Sequence, residues 1–190
     1  DNLKASDDLF ARIVEEIHRR GMRIILDGVF NHCGSFNNWL DVEGIYRRAG
    51  DYEPGAYESG DSPYRGFFRF HDESQGAWPD NRTYDGWWGH DTLPKLNYEN
   101  SEKLVEYVLH IARKWISPPY SVDGWRLDVA ADLGHTDEFN HEFRREFLRA
   151  VKAVTLDVLL LAEHYGNPAP RQDGDQRESN RHYDAFTHPL

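Results

Sequence analysis

Residues 121–131 read Ser-Val-Asp-Gly-Trp-Arg-Leu-Asp-Val-Ala-Ala. Residues 120–130 mix β-branched, aromatic and small side chains around a central glycine, the pattern of a short strand buried among other elements. Arg126 and Asp128 stand two apart and therefore project to the same side of such a strand. A cation beside a carboxylate favours its ionised form, lowers its pKa and fixes its direction through charge-assisted hydrogen bonds. That suits a carboxylate that attacks as a nucleophile. It suits a structural ion pair equally well, and the pair alone does not separate the two.

Two further stretches do. Residues 22–33, Met-Arg-Ile-Ile-Leu-Asp-Gly-Val-Phe-Asn-His-Cys, form a nearly continuous apolar strand with Asp27, Asn31 and His32 towards its end. Residues 157–165, Asp-Val-Leu-Leu-Leu-Ala-Glu-His-Tyr, form another that ends in Glu163 and His164. Three buried strands thus carry ionisable residues at their carboxyl ends. Helical patterns lie around them. Residues 6–20 repeat apolar side chains at helical spacing with Ser6 as N-cap, stopped by Gly21; His18 reads as plain solvated surface. Residues 101–115 are amphipathic with Ser101 as cap, and residues 137–154 place Phe139, Phe143, Phe147 and Val151 on one face. Asp128 and Glu163 lie 35 residues apart across one strand–helix–strand unit. That period fits a barrel of parallel strands with its chemistry at the strand C-termini, and also an open doubly wound sheet. No Gly-x-Gly-x-x-Gly or Walker loop follows any strand, which removes the nucleotide-binding version of the second.

Asp27-Gly-Val-Phe-Asn-His32, Gly124-Trp-Arg-Leu-Asp-Val-Ala130 and the glutamate closing Leu159-Leu-Leu-Ala-Glu163 resemble the first three conserved regions of the α-amylase family of glycoside hydrolases. Leu93-Pro-Lys-Leu-Asn97 resembles the short extra motif of that family in the form typical of neopullulanases, cyclomaltodextrinases and amylopullulanases. The resemblance implies an α/β fold, part of a (β/α)8 TIM barrel running from about the third to the start of the sixth strand, with an irregular small domain inserted after the third. Residues 1–33 and 99–190 are then barrel segments and 34–98 the insertion. Residues 34–98 support this independently: rich in Gly, Pro, Asp and aromatics without period, they are too long for an ordinary connection. A full barrel takes about 250 residues, so 190 residues imply a catalytic-domain fragment.

What the resemblance implies about chemistry is a retaining double displacement on α-glucans such as starch, pullulan or cyclodextrins, with Asp128 as nucleophile and Glu163 as acid then base. His32 and His164 would contact sugar hydroxyls, Asp27 would buttress Arg126, and Asn31 would hold the loop above. Trp39, Tyr46, Trp78, Tyr84, Trp87 and Trp88 are candidates to line the cleft under the small domain. Trp87 and Trp88 are the best of them for sugar stacking; a small internal core is the competing role. The family's third acid, a His-Asp pair after the seventh strand, has no counterpart in this chain, so the isolated chain is expected to lack appreciable turnover. A non-catalytic fragment or scaffold of the same fold is the alternative, although scaffolds tend to lose residues such as Arg126, Asp128 and Glu163. The motifs leave open α-1,4 against α-1,6 bonds and hydrolysis against transfer.

Composition agrees. Aromatic residues make up 14 %, with six Trp and ten Tyr, in a polar chain of mean hydropathy −0.78, a mixture that suits stacking and hydrogen bonding to sugars and would equally suit a protein-binding surface. A net charge of −11 without a basic stripe argues against nucleic acid as partner, and no apolar run is long enough for a membrane span. Open barrel edges make self-association possible. The single Cys33 permits no internal disulfide. No cofactor is expected: His71, Asp72, Glu73, His90 and Asp91 match no metal-binding spacing and read as loop polarity. Some relatives hold calcium through the asparagine matched by Asn31, but Lys95 or Asn97 stands where many of them have an aspartate in the short motif. No compartment can be assigned.

Overall fold

The computed structural model describes residues 2–71, 84–163 and 185–187, the last three by backbone alone. The chain divides into two compact units. The first contains Asp1–Gly28, Glu106–Ala131 and Thr136–Leu190; the second contains Val29–Val105 and Asp132–His135.

The first unit is a four-stranded parallel sheet in chain order: β1 (Ile25–Gly28), β2 (Gly124–Leu127), β3 (Leu159–Glu163) and β4 (Ala185–Thr187). Register places Asp27 beside Arg126, and Arg126 beside Leu161. Gly124 is required by this register, because an added Cβ would collide with the carbonyl oxygen of Leu159 on the adjacent strand. Helix α1 (Asn2–Arg19) precedes β1, and α4 (Asp137–Lys152) joins β2 to β3. The residues that pack are those whose period selects them: Val14 from α1, Phe143, Phe147 and Val151 from α4, and Trp125, Leu127, Val158, Leu160 and Ala162 from the strands are all buried. Thr136 caps α4 by accepting from Phe139 N.

Two sequence expectations change. Ser6 does not cap α1; its hydroxyl donates to Asn2 O at 2.9 Å inside a helix that begins a turn earlier, where the Lys4–Asp8 pair at 2.7 Å supports the added turn. The apolar run 22–33 is not one strand either. Pairing with β2 ends at Gly28, opposite Leu127, and Asn31 and His32 lie beyond it in the second unit.

The second unit is irregular. After the short helix α2 (Ile45–Ala49) it is built from 3-10 turns and isolated bridges, His32 to Lys95, Phe68 to Leu96, Phe70 to Tyr84 and Gly86 to Pro94. Its core is Leu40, Tyr57, Phe67, Phe68, Tyr84, Leu96 and Tyr98. The buried Asp41 carboxylate accepts from Ile45 N, Tyr46 N and Arg47 N, which compensates its desolvation at the start of α2. Helix α3 (Glu102–Ile116) begins in this unit, with Ser101 Oγ accepting from Leu104 N at 3.2 Å as expected of the cap, and continues into the first, where Ala112 O accepts from Trp125 Nε1. Among the described residues no helix is long and apolar enough to cross a membrane.

Candidate active site

The carboxyl ends of β1, β2 and β3 bring four charged side chains together. Arg126 Nη1 donates to Asp27 Oδ1 and to Asp128 Oδ1, both at 2.7 Å, and its Nη2 lies 2.6 Å from Glu163 Oε1. One guanidinium therefore serves three carboxylates, two of them mostly buried: the side chains of Asp128 and Glu163 are 19 % and 16 % exposed. The planar fork of arginine is suited to this, since its separate nitrogens can each hold an acid in a fixed direction.

The turn after Asp128 completes the cluster. Val129 has φ 46°, a left-handed conformation that a β-branched residue adopts at a cost of about 1–3 kcal/mol. From it the Val129 N–H donates to Glu163 Oε2 at 3.0 Å. The carbonyls of Ala130 and Ala131 accept from Arg144 Nε at 3.1 Å and Asn140 Nδ2 at 3.4 Å, both from buried side chains of α4. Asp128 N itself donates to Gly28 O.

Arg126 pulls the Asp128 pKa down as expected, but the net shift is upward. Burial is the largest influence and pushes Asp128 up, and the Glu163 carboxyl adds to the rise as hydrogen-bonding neighbour and as like charge, so that the opposing pull of Arg126 is outweighed. Arg126 is divided among three acids, so no one of them receives its full effect.

The other described candidates form a second cluster, within the second unit. The His32 and Trp87 rings stack with centroids 5.2 Å apart, and Trp87 stacks on Trp88 at 4.8 Å. Trp88 has φ 51° and is 76 % exposed, so a strained turn holds an indole out towards solvent. The buried Trp87 Nε1 meets no acceptor among the described residues. Trp39 packs edge-on against Phe67, Tyr46 against Tyr52, and Tyr84 donates to Asp91 O. The Trp39 and Tyr84 contacts belong to an internal core, whereas the Tyr46–Tyr52 pair lies at the surface, with Tyr52 exposed. His164, Trp78, Asp72 and Glu73 lie outside the described residues.

Asn31 is fully buried; its Nδ2 donates to Asp132 O and its Oδ1 faces His32 Nδ1. The ammonium of Lys95, with its side chain 12 % exposed, lies 2.9 Å from Asp132 Oδ1 and 3.2 Å from Gly134 O. Calcium takes six to eight oxygen ligands, whereas here an amide nitrogen faces one carbonyl and an ammonium the other. Among the described residues no group of three or more His, Cys, Asp or Glu side chains is arranged to hold a metal ion.

Sequence reasoning missed two clusters. Asp85 accepts from both sides, bonded to His71 Nε2 and, at 3.0 Å, to His135 Nε2, while Glu99 accepts from His135 N. Burial pushes Asp85 up, but the two histidines pull it below its ordinary value. His71 is thus a partner of Asp85, not loop polarity. In the first unit His18 Nε2 lies 2.8 Å from Asp123 Oδ2, so it is not plain surface. These pairs join residues 14 to 105 positions apart, and no local spacing marks them.

The profile of the alpha-amylase catalytic domain matches residues 5–189. The intracellular maltogenic amylase of Bacillus subtilis strain 168 is 37 % identical over 185 residues, 96 % of this chain and 27 % of the relative. A cyclomaltodextrinase of Geobacillus thermopakistaniensis is 35 % identical over 172 residues, 90 % of this chain and 26 % of the relative. Among solved structures, the type III pullulan hydrolase from Thermococcus kodakarensis superposes with a TM-score of 0.69 at 30 % identity, covering 94 % of this chain and 27 % of that one. The chain thus spans about a quarter of the length of these relatives.

Proposed function

Because the chain belongs to the alpha-amylase catalytic-domain family, we propose that the protein carrying it is a retaining glycoside hydrolase acting on α-glucans. The observation that carries this reading is the single guanidinium of Arg126 bound to both Asp128 and Glu163 at the ends of adjacent parallel strands. Retention needs two carboxyl groups about 5–5.5 Å apart, and a shared arginine is a means of fixing such a pair. Asp128 attacks the anomeric carbon while the bond to the leaving oxygen breaks and Glu163 gives that oxygen its proton. The ionised Glu163 then takes a proton from water, whose oxygen displaces Asp128 and frees the sugar. Asp27 shares the guanidinium and orients it.

The four strands are the third to sixth of the barrel, and the second unit is the small domain inserted after the third. His32, with Trp87 and Trp88 stacked behind it, forms a ladder whose exposed end offers an indole face to a sugar ring; His164 is a further sugar contact, and Asn31 fixes the loop at Asp132. No calcium is needed at that loop, because Lys95 supplies the positive charge. The names of the relatives, maltogenic amylase, cyclomaltodextrinase and pullulan hydrolase, point to starch, cyclodextrin or pullulan as substrate. β1 and β4 are the edges of the four-stranded sheet, so the 190-residue chain purified alone would self-associate and turn over little substrate.

The test is covalent trapping. A slow fluorinated α-glucosyl donor incubated with the full-length protein should add one glycosyl mass to the peptide containing Asp128. Labelling of another carboxylate, or none with an active preparation, overturns the assignment.

A further inference from the structure

Val129 pays for its left-handed backbone with no glycine to relieve it, and such a conformation persists only where the surroundings over-determine it. Three bonds converge there. On one side the Val129 N–H reaches Glu163 Oε2. On the other, the two carbonyls that follow are held by Arg144 Nε and Asn140 Nδ2. Asn140 and Arg144 stand one turn apart on α4, so they face the same way, and both are among the few buried polar side chains of the described residues. Burying a guanidinium and an amide is costly unless they bond, and each has among its partners a peptide oxygen of the same strained turn.

We propose that Asn140 and Arg144 are positioning residues for the carboxylate pair. By gripping the carbonyls of Ala131 and Ala130 from α4, they hold Val129 left-handed and so aim its N–H at Glu163, while the same turn fixes the peptide that carries Asp128. The helix between the two strands thereby acts as a clamp on the acids at both strand ends. The functional half of this inference rests on the assignment of Asp128 and Glu163 above; the structural half does not.

A double-mutant cycle in the full-length protein separates the clamp from ordinary packing. Arg144→Met keeps the length and removes the donor. It should lower kcat by about 100-fold with little change in KM, the scale on which a small misplacement of reacting groups acts, and Arg144→Lys should restore most of the loss. In a Val129→Gly background, where the left-handed conformation carries no side-chain penalty, adding Arg144→Met should cost less than tenfold. An equal cost on both backgrounds, or no recovery with lysine, overturns the proposal. Hydrogen exchange of the peptide spanning residues 128–131 provides a reading independent of activity: it should quicken in Arg144→Met and remain slow in Arg144→Lys. Unchanged exchange in Arg144→Met also overturns the clamp. Should Arg144→Met fail to fold, Asn140→Ala enters the same cycle with the same expectations. If the protein is no glycosidase, wild type and variants alike show no turnover, and the exchange experiment alone decides.

Discussion

β2 is four residues long and has an aspartate at each end, Asp123 just before it and Asp128 just after. Their side chains are similarly shielded, 15 % and 19 % exposed, and burial is the largest influence on both, pushing each pKa up. They finish on opposite sides of the ordinary value. Asp123 is surrounded by donors: Ile24 N at 2.9 Å, His18 Nε2 at 2.8 Å and Arg23 Nη1 at 2.7 Å, which together bring it down. Asp128 has one guanidinium shared with two other acids and a carboxyl beside it, and it ends up raised. The difference teaches that residue type and depth do not decide what a carboxylate is for. One fully supplied with donors fastens the sheet to α1; one crowded by another acid has its charge disfavoured, the environment expected of the nucleophile proposed above.

The strongest test of this contrast is Asp128→Asn in the full-length protein. Turnover should fall by at least about 10⁴-fold, while the thermal midpoint at neutral pH stays level or rises, because a disfavoured charge has gone. A variant retaining more than about a tenth of the wild-type rate would end the comparison.

Glu163→Gln should cost about 10²–10⁴-fold on glucans, and far less on aryl glucosides whose leaving group needs no proton. It should also shift the acid limb of the kcat/KM profile downward, since the neighbour that helps raise Asp128 is lost. An unmoved limb would mean that Glu163 has no part in setting that pKa.

At the other end of the strand, Asp123→Ala should destabilise by about 1–3 kcal/mol, because the Ile24 N–H is left without its acceptor. Activity per folded molecule should be preserved. Urea unfolding followed beside specific activity measures both; a dead but fully stable variant would reverse the roles of the two ends.

The smallest effect is in pH. Asp123, lowered in the folded state, contributes stability above its ordinary 3.8 that is lost as pH falls through the lower folded value. Asp128, raised, behaves inversely: its contribution is full below 3.8 and is lost as pH rises through the folded value. The stability gained in Asp128→Asn should therefore be present at pH 7 and vanish near pH 3. A gain independent of pH would locate its cause elsewhere.

Local pattern carried much of the fold. Phe143, Phe147 and Val151 are buried where helical spacing puts them, Ser101 caps its helix, and β2 and β3 lie within the stretches that β-branched and apolar composition marks. The run 22–33 misled because apolar composition continues past the point where a partner strand stops. A strand ends where its hydrogen bonds run out, and the partner's length is not written in the strand's own sequence. His18 and Asp85 misled for a related reason: their partners lie far along the chain, and a polar residue looks the same in sequence whether solvated or bonded.

By itself the sequence determined which charged residues meet at one edge of the sheet. Arg126, Asp128 and Glu163 sit at the ends of apolar runs, and the period of strands and helices brings such ends to one edge of a sheet. The tertiary structure alone decided how they share it. Arg126 turned out to serve three acids, Asp128 to be raised, and the strained peptide of Val129 to be gripped from α4 while it binds Glu163. Charge interactions depend on distance, burial and the number of competitors for each donor, and those are fixed only when strands distant in sequence are laid side by side.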